Sequence, residues 1–198
     1  MSATSAPFGL RPAFHPSGLD RAQALANGIP SGFNTDIFKG QPVRYQTTAI
    51  GGTLGTITPA TTSGAWVGAF AGVQWTDTTG RARVSNYWPA NTAYTTGSCV
   101  AYFYNDANIV YEIQASGSMA QTTVGNEFNF ASVTAGSTTT GLSACTLDHS
   151  SAVGSGSQGQ MRVVDIAPYP GNDWGDSYTI VRVVCAQSQF FGAFTAIA

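Results

Sequence analysis

The stretch from Ser98 to Ala115 (SCVAYFYNDANIVYEIQA) limits what this chain can fold into more than any other. Cys99, Ala101 and Phe103 alternate with Val100, Tyr102 and Tyr104. After Asn105-Asp106-Ala107-Asn108, Ile109, Tyr111 and Ile113 alternate with Val110, Glu112 and Gln114. Alternation of β-branched and aromatic residues marks two strands, and Asn and Asp favour a turn between them because their side chains bond nearby backbone. The first strand is apolar on both faces, so it must be covered on both. The reading is a central hairpin with the rest of the chain arranged around it.

Other short runs repeat the pattern. Asp36–Tyr45 (DIFKGQPVRY) reads as a strand pair with a turn or bulge at Lys39-Gly40-Gln41-Pro42, and Ala65–Thr76 (AWVGAFAGVQWT) as a strong strand. Gly68 and Gly72 inside that strand point to a bulge or a close backbone approach. Asp77-Thr78-Thr79-Gly80 is a turn. Gln160–Ala167 and Ser177–Ala186 are strands, and the Ser/Gly-rich run from Ser150 to Gly159 is a surface loop. Only Leu19–Ala26 and SMAQTTVG (118–125) suit short helical turns. Strands about ten residues apart with turn signals between them predict an all-β protein, a single barrel or sandwich.

Two segments stand apart. Residues 1–31 carry Pro7, Pro12, Pro16 and Pro30 with Gly9, Gly18 and Gly28, and Gly32 follows directly, which predicts an extended N-terminal arm before a β-domain over 32–198. Phe8, Leu10 and Phe14 make that arm too apolar to hang free, so it is expected to lie over its own domain or a neighbour. The end of the chain, with Phe190 and Phe191 opening FFGAFTAIA, is equally apolar and needs shelter.

Charge bears on function. Asp, Glu, Lys and Arg make up 9% of the 198 residues, against about 25% in an average globular protein. A free monomer usually stays soluble through mixed surface charge. A surface of Ser, Thr, Asn, Gln and Gly suggests burial in an assembly. The net charge of -2 provides no attraction to nucleic acid or anionic membrane, so neither is expected as a partner. No apolar run approaches the ~20 residues that span a bilayer. MSATSAPFGLRPAF lacks a secretory signal's basic start and long apolar centre, so use without export is expected. Cys99, Cys145 and Cys185 lie far apart in apolar runs without C-x-x-C spacing, which predicts buried reduced thiols.

Candidate chemistry is thin. Gly154–Gly159 matches G-x-G-x-x-G in letters only, since no strand precedes it and no helix follows. Asp148-His149-Ser150 has the residue types of a hydrolase triad, but consecutive residues cannot adopt its geometry. Asp173-Trp174-Gly175-Asp176, with Glu112, Glu127 or Asp106 as a partner carboxylate, is the material for glycosidase-type catalysis, although no spacing selects a pair. His15 and His149 have no companion at metal-ligand spacing. No catalytic, metal or cofactor site is expected, and a non-enzymatic protein is. Trp66 and Trp75 fall within strands, while Trp88 and Trp174 fall in loops and are better placed for a partner. Contact with that partner is assigned to Phe8, Leu10, Arg11, Phe14, Trp88, Trp174, Phe190 and Phe191.

In order along the chain stand APFGLRP (6–12), IFKGQPV (37–43), VGAFAGVQW (67–75), YWPANT (87–92), AYFYNDANIVYEIQA (101–115), STTTGLSACTLD (137–148) and DWGD (173–176). Taken together these resemble tailed-bacteriophage head decoration, or cement, proteins, a family typically encoded beside the major capsid protein. The resemblance implies a structural virion protein on the outer capsid surface, assembled in the host cytoplasm, without chemistry or cofactor. It implies binding to the major capsid protein and to copies of itself, as a dimer or trimer, so that capsomers are bridged and the head stabilised. A carbohydrate- or receptor-binding β-domain on the virion is the alternative, with Trp88, Trp174 and the Asp173/Asp176 turn as its site.

Overall fold

The computed structural model describes residues 4–18, 22–46 and 55–190. The first strands are β1 (Arg11–Phe14), β2 (Gln23–Ala26), β3 (Pro42–Tyr45), β4 (Ile57–Pro59) and β5 (Gly68–Thr76). There follow β6 (Ala82–Ser85), β7 (Val100–Tyr104), β8 (Val110–Gln114), β9 (Glu127–Phe128) and β10 (Phe130–Ala131). The last are β11 (Gly136–Ser137), β12 (Leu142–Ser143), β13 (Thr146–Leu147), β14 (Met161–Ile166) and β15 (Ile180–Cys185). A five-stranded sheet runs β1-β8-β15-β14-β9, and a six-stranded sheet runs β2-β7-β5-β3-β4 with β6 also on β5. Two short ribbons, β10-β13 and β11-β12, complete the set. The chain is all-β, its strand ladders are antiparallel, and no sheet closes into a barrel.

The stretch around Asn105–Asn108 is central, as its pattern requires, but it is not a hairpin. β7 pairs with β2 and β5, whereas β8 pairs with β1 and β15, so the turn carries the chain from one sheet to the other. Asp106 holds the turn by accepting the Asn108 backbone N–H at 2.9 Å, and its second oxygen meets His15 Nε2 at 2.9 Å. Faces sort as the alternation requires. Cys99, Ala101 and Phe103 enter one apolar cluster with Val43, Phe70, Val73 and Trp88. Ile109, Tyr111 and Ile113 enter the other, with Val163, Val181, Val183 and Phe128, and Tyr104 of β7 packs against it.

Glycine sets the geometry of β5. A Cβ on Gly68 would stand 2.6 Å from the Tyr104 carbonyl carbon, and Gly72, at φ +152°, sits where the register with β7 shifts. Asp77 Oδ1 accepts the N–H groups of Thr79 and Arg81, closing the expected turn. SMAQTTVG supplies a single 3-10 turn, Gln121–Thr123. The helical turn expected over 19–26 differs: residues 19–21 lie outside the described set, and Gln23–Ala26 extends along β7 as an edge strand. The N-terminal segment thus contributes an edge strand to each sheet, β1 on β8 and β2 on β7. At the other end, Gln189 clamps the chain to β3 through both polar atoms of its amide, at 2.7 and 3.2 Å from the Tyr45 backbone.

Candidate partner-binding site

Three segments far apart in sequence meet where the N-terminal strand enters the fold. Gly9 and Gly40 both have positive φ, +73° and +81°, and their backbones nearly touch: a Cβ on Gly9 would lie 2.6 Å from the Gly40 carbonyl oxygen. Leu10 N–H donates to that oxygen at 2.7 Å, and Gly40 N–H donates to the Phe70 carbonyl at 2.7 Å. On the other side Lys39 N–H bonds the Gly141 carbonyl, and Ser143 N–H bonds the Lys39 carbonyl, each at 2.9 Å. Stretches 6–12, 37–43 and 137–148 are thereby locked together by main-chain bonds.

Around this crossing opens a cavity of about 370 Å³. Leu10 and Phe70, both buried, form its floor with Tyr104; Phe8, Pro12 and Leu142 line its mouth, and Arg11 and Lys39 bring cationic heads. Among the described residues no carboxylate lines it. Among the described residues none stands within ion-pair distance of the exposed Lys39.

Arg11 is held from behind. Strand register aligns Arg11, Glu112 and Arg182 across β1, β8 and β15. Glu112, 4% exposed, accepts Arg11 Nη2 at 2.8 Å and the Tyr169 hydroxyl, and lies 3.5 Å from Arg182 Nε. A carboxylate this buried requires such partners, because desolvating an unpaired charge is prohibitive. The Arg11 guanidinium lies 4.7 Å from the Phe8 ring centre and 5.4 Å from that of Tyr169, a cation–π arrangement that fixes its plane. Partial burial, and then the neighbouring Glu112 carboxylate, push the Tyr169 hydroxyl above its ordinary pKa. The row continues to Asp165, which stands opposite Arg182 in the β14–β15 register, so the two guanidinium groups alternate with two carboxylates across the sheet.

Of the eight residues expected at a partner contact, Phe8, Leu10 and Arg11 converge here, Leu10 as buried floor and not as a contact. Phe14, at the end of β1, is 57% exposed, and Phe190 is 52% exposed with its ring 5.4 Å from Tyr45. Trp88 differs from its expected role. It is fully buried, edge-on to Trp75 and Tyr94 at 5.7 and 6.0 Å, with its indole N–H donating to the Phe33 carbonyl. Trp174 is half-buried against the core. Phe191 lies outside the described residues. Sequence reasoning missed Lys39 and Leu142 as site residues, and Glu112, Tyr169 and Arg182 as their support. The one readable signal was the chain's single lysine beside Gly40.

The remaining chemical candidates are structural. Asp148 Oδ1 accepts the Ser150 N–H and hydroxyl, while His149 pairs with Ser116 at 2.9 Å, so the three consecutive residues form no relay. Asp176 Oδ2 accepts the Asp173 N–H at 2.9 Å, closing the turn around Trp174. A second cavity of about 450 Å³ beside Val110, Val184 and Cys185 contains Arg162, which is 2.7 Å from the buried Glu127 carboxylate and already neutralised. Among the described residues, no three His, Cys, Asp or Glu side chains are grouped to hold a metal ion, and no helix is long and apolar enough to cross a membrane. In comparisons with family models, curated proteins and solved structures, nothing matches the chain.

Proposed function

We propose that this chain is a structural virion protein, a cement or decoration protein that binds the outer surface of the major capsid shell and bridges neighbouring capsomers. Copies act together as a dimer or trimer, and the protein works by adhesion and not by turnover. The observation that carries this reading is a rigid apolar notch with a cationic rim, built on a domain with only 9% charged residues. Main-chain bonds hold the notch open before any partner arrives, so little ordering entropy opposes binding. Phe14 and Leu142, at 57% and 41% exposure, add apolar surface. Each contact is small, and multivalent attachment supplies retention beyond one copy's affinity.

Deleting the N-terminal segment would be a poor test, because β1 carries Arg11, the partner of buried Glu112. Phe14→Ser with Leu142→Ser keeps the fold and removes the exposed apolar area. Wild-type and variant protein are added to purified shells that lack it, and occupancy is read by co-sedimentation. Reduced occupancy at unchanged melting temperature is the expected result; no binding of wild type, or equal binding of both, refutes the proposal. The carbohydrate-binding reading requires an available aromatic platform. Trp174 serves it poorly, because its indole is packed against the core.

A further inference from the structure

We infer that the cavity at the Gly9–Gly40 crossing takes an acidic segment of the shell protein, seating one apolar side chain against Phe8, Pro12 and Leu142 and placing an adjacent carboxylate at Lys39. This rests on the reading of the chain as a shell-binding protein and names the chemistry of the contact. The volume of about 370 Å³ lies within the range, about 300–1,000 Å³, of sites that engulf a ligand group. Its lining is more apolar than polar, with Arg11 and Lys39 as its cationic residues. Lys39 is exposed, has no carboxylate of its own within ion-pair distance among the described residues, and shares the cavity lining with Arg11. On a chain of net charge -2, this local sign favours an acidic partner that the rest of the surface would repel weakly. Competing occupants fit less well. Residues 191–198 of this chain are apolar and contain no acidic side chain, so within that segment no apolar side chain has a side-chain carboxylate next to it.

The test uses 4-phenylbutyrate as a minimal mimic of an apolar group bearing a carboxylate, with 4-phenylbutanol and 4-phenylbutylamine as neutral and cationic counterparts. Binding is read from backbone amide shifts. The carboxylate is expected to shift Lys39, Gly40 and Leu142 and to bind about five-fold more tightly than the alcohol, as for an exposed ion pair. Lys39→Gln, at an exposed position and with unchanged melting temperature, should remove that preference and its salt dependence. Equal binding of the three probes, shifts elsewhere, or an unaffected Lys39→Gln variant overturns the inference.

A second arm measures shell binding of wild type and Lys39→Glu. Loss of about ten-fold in the variant supports the assigned occupant. Wild-type binding that the variant retains overturns it and leaves the shell-binding reading standing. Failure of wild type to bind shells removes that reading and the occupant with it, even if the probe binds. Self-association abolished by 4-phenylbutyrate would give the cavity to a second copy and overturn the assignment.

Discussion

Substituting Gly68 by alanine should damage the fold far more than its small size suggests. The added methyl would lie 2.6 Å from the Tyr104 carbonyl carbon, closer still to its oxygen, and 3.1 Å from the Asn105 Cα. These are backbone atoms of a paired strand and cannot rotate away. Relaxing the nearest carbon contact to about 3.5 Å requires about 1 Å of separation between strands that normally run ~4.8 Å apart. A ladder hydrogen bond stretched by that amount is broken. The site is the Ala69–Tyr104 end of the β5–β7 ladder, where Ala69 is fully buried. One or two lost bonds at ~1 kcal/mol each, with ~1–3 kcal/mol for buried groups left unpaired, give about 2–5 kcal/mol. In a domain of this size that lowers the melting temperature by roughly 4–20 °C. Gly80→Ala is the control: Gly80 has φ +85° with nothing within 4 Å of its Cβ position, so only conformational strain of about 1 kcal/mol is expected. Calorimetry and urea unfolding of both variants measure the difference. A Gly68→Ala protein within about 1 kcal/mol of wild type, or no worse than Gly80→Ala, would refute the argument that close strand approach selects glycine here.

Two further outcomes follow from buried groups. Glu112→Gln removes the charge shared by Arg11 and Arg182 while keeping its shape; because both arginines remain partly hydrated, the cost is held to about 2 kcal/mol. It should appear as a lower urea midpoint with faster amide exchange in β1 than in β14, and a change below about 0.5 kcal/mol would count against the network. Burial pushes the Cys99 thiol up to about 11 and the Cys185 thiol up to about 12 from an ordinary 9, and Cys145 further still. A raised thiol pKa stabilises the fold fully below the unfolded value near 9, and that contribution is lost as pH climbs through about 11 to 12. Native protein should therefore resist thiol reagents at pH 8, and unfolding midpoints should fall from pH 9 to 11; rapid native labelling at pH 8 would contradict this.

Much of the architecture is local and was readable. The two-residue alternation in 99–104 and 109–114 assigns the correct side chains to the correct apolar clusters, because a strand's faces are a property of its own backbone. Turn chemistry at Asp77–Gly80 and the glycines of β5 announce themselves for the same reason. The candidate site was half legible: Phe8, Leu10 and Arg11 were singled out as apolar or cationic residues of the N-terminal segment. Lys39 and Leu142 join them only because main-chain bonds fold residues 37–43 and 137–148 onto that segment.

Partner strands are where sequence ran out. Nothing in Asn105–Asn108 says that β7 and β8 belong to different sheets, since a turn joining a hairpin and one crossing between layers use the same residues. Trp88 shows the same limit: a Pro-terminated aromatic loop reads as surface until Trp75, Tyr94 and Phe33 close around it. Residue order set the faces, turns and glycine positions, because these depend on neighbours a few bonds away. The three-dimensional arrangement decided which edges meet, which aromatics are enclosed and where a lysine with no carboxylate partner among the described residues faces an apolar notch, because those depend on which separate segments of the chain are brought together.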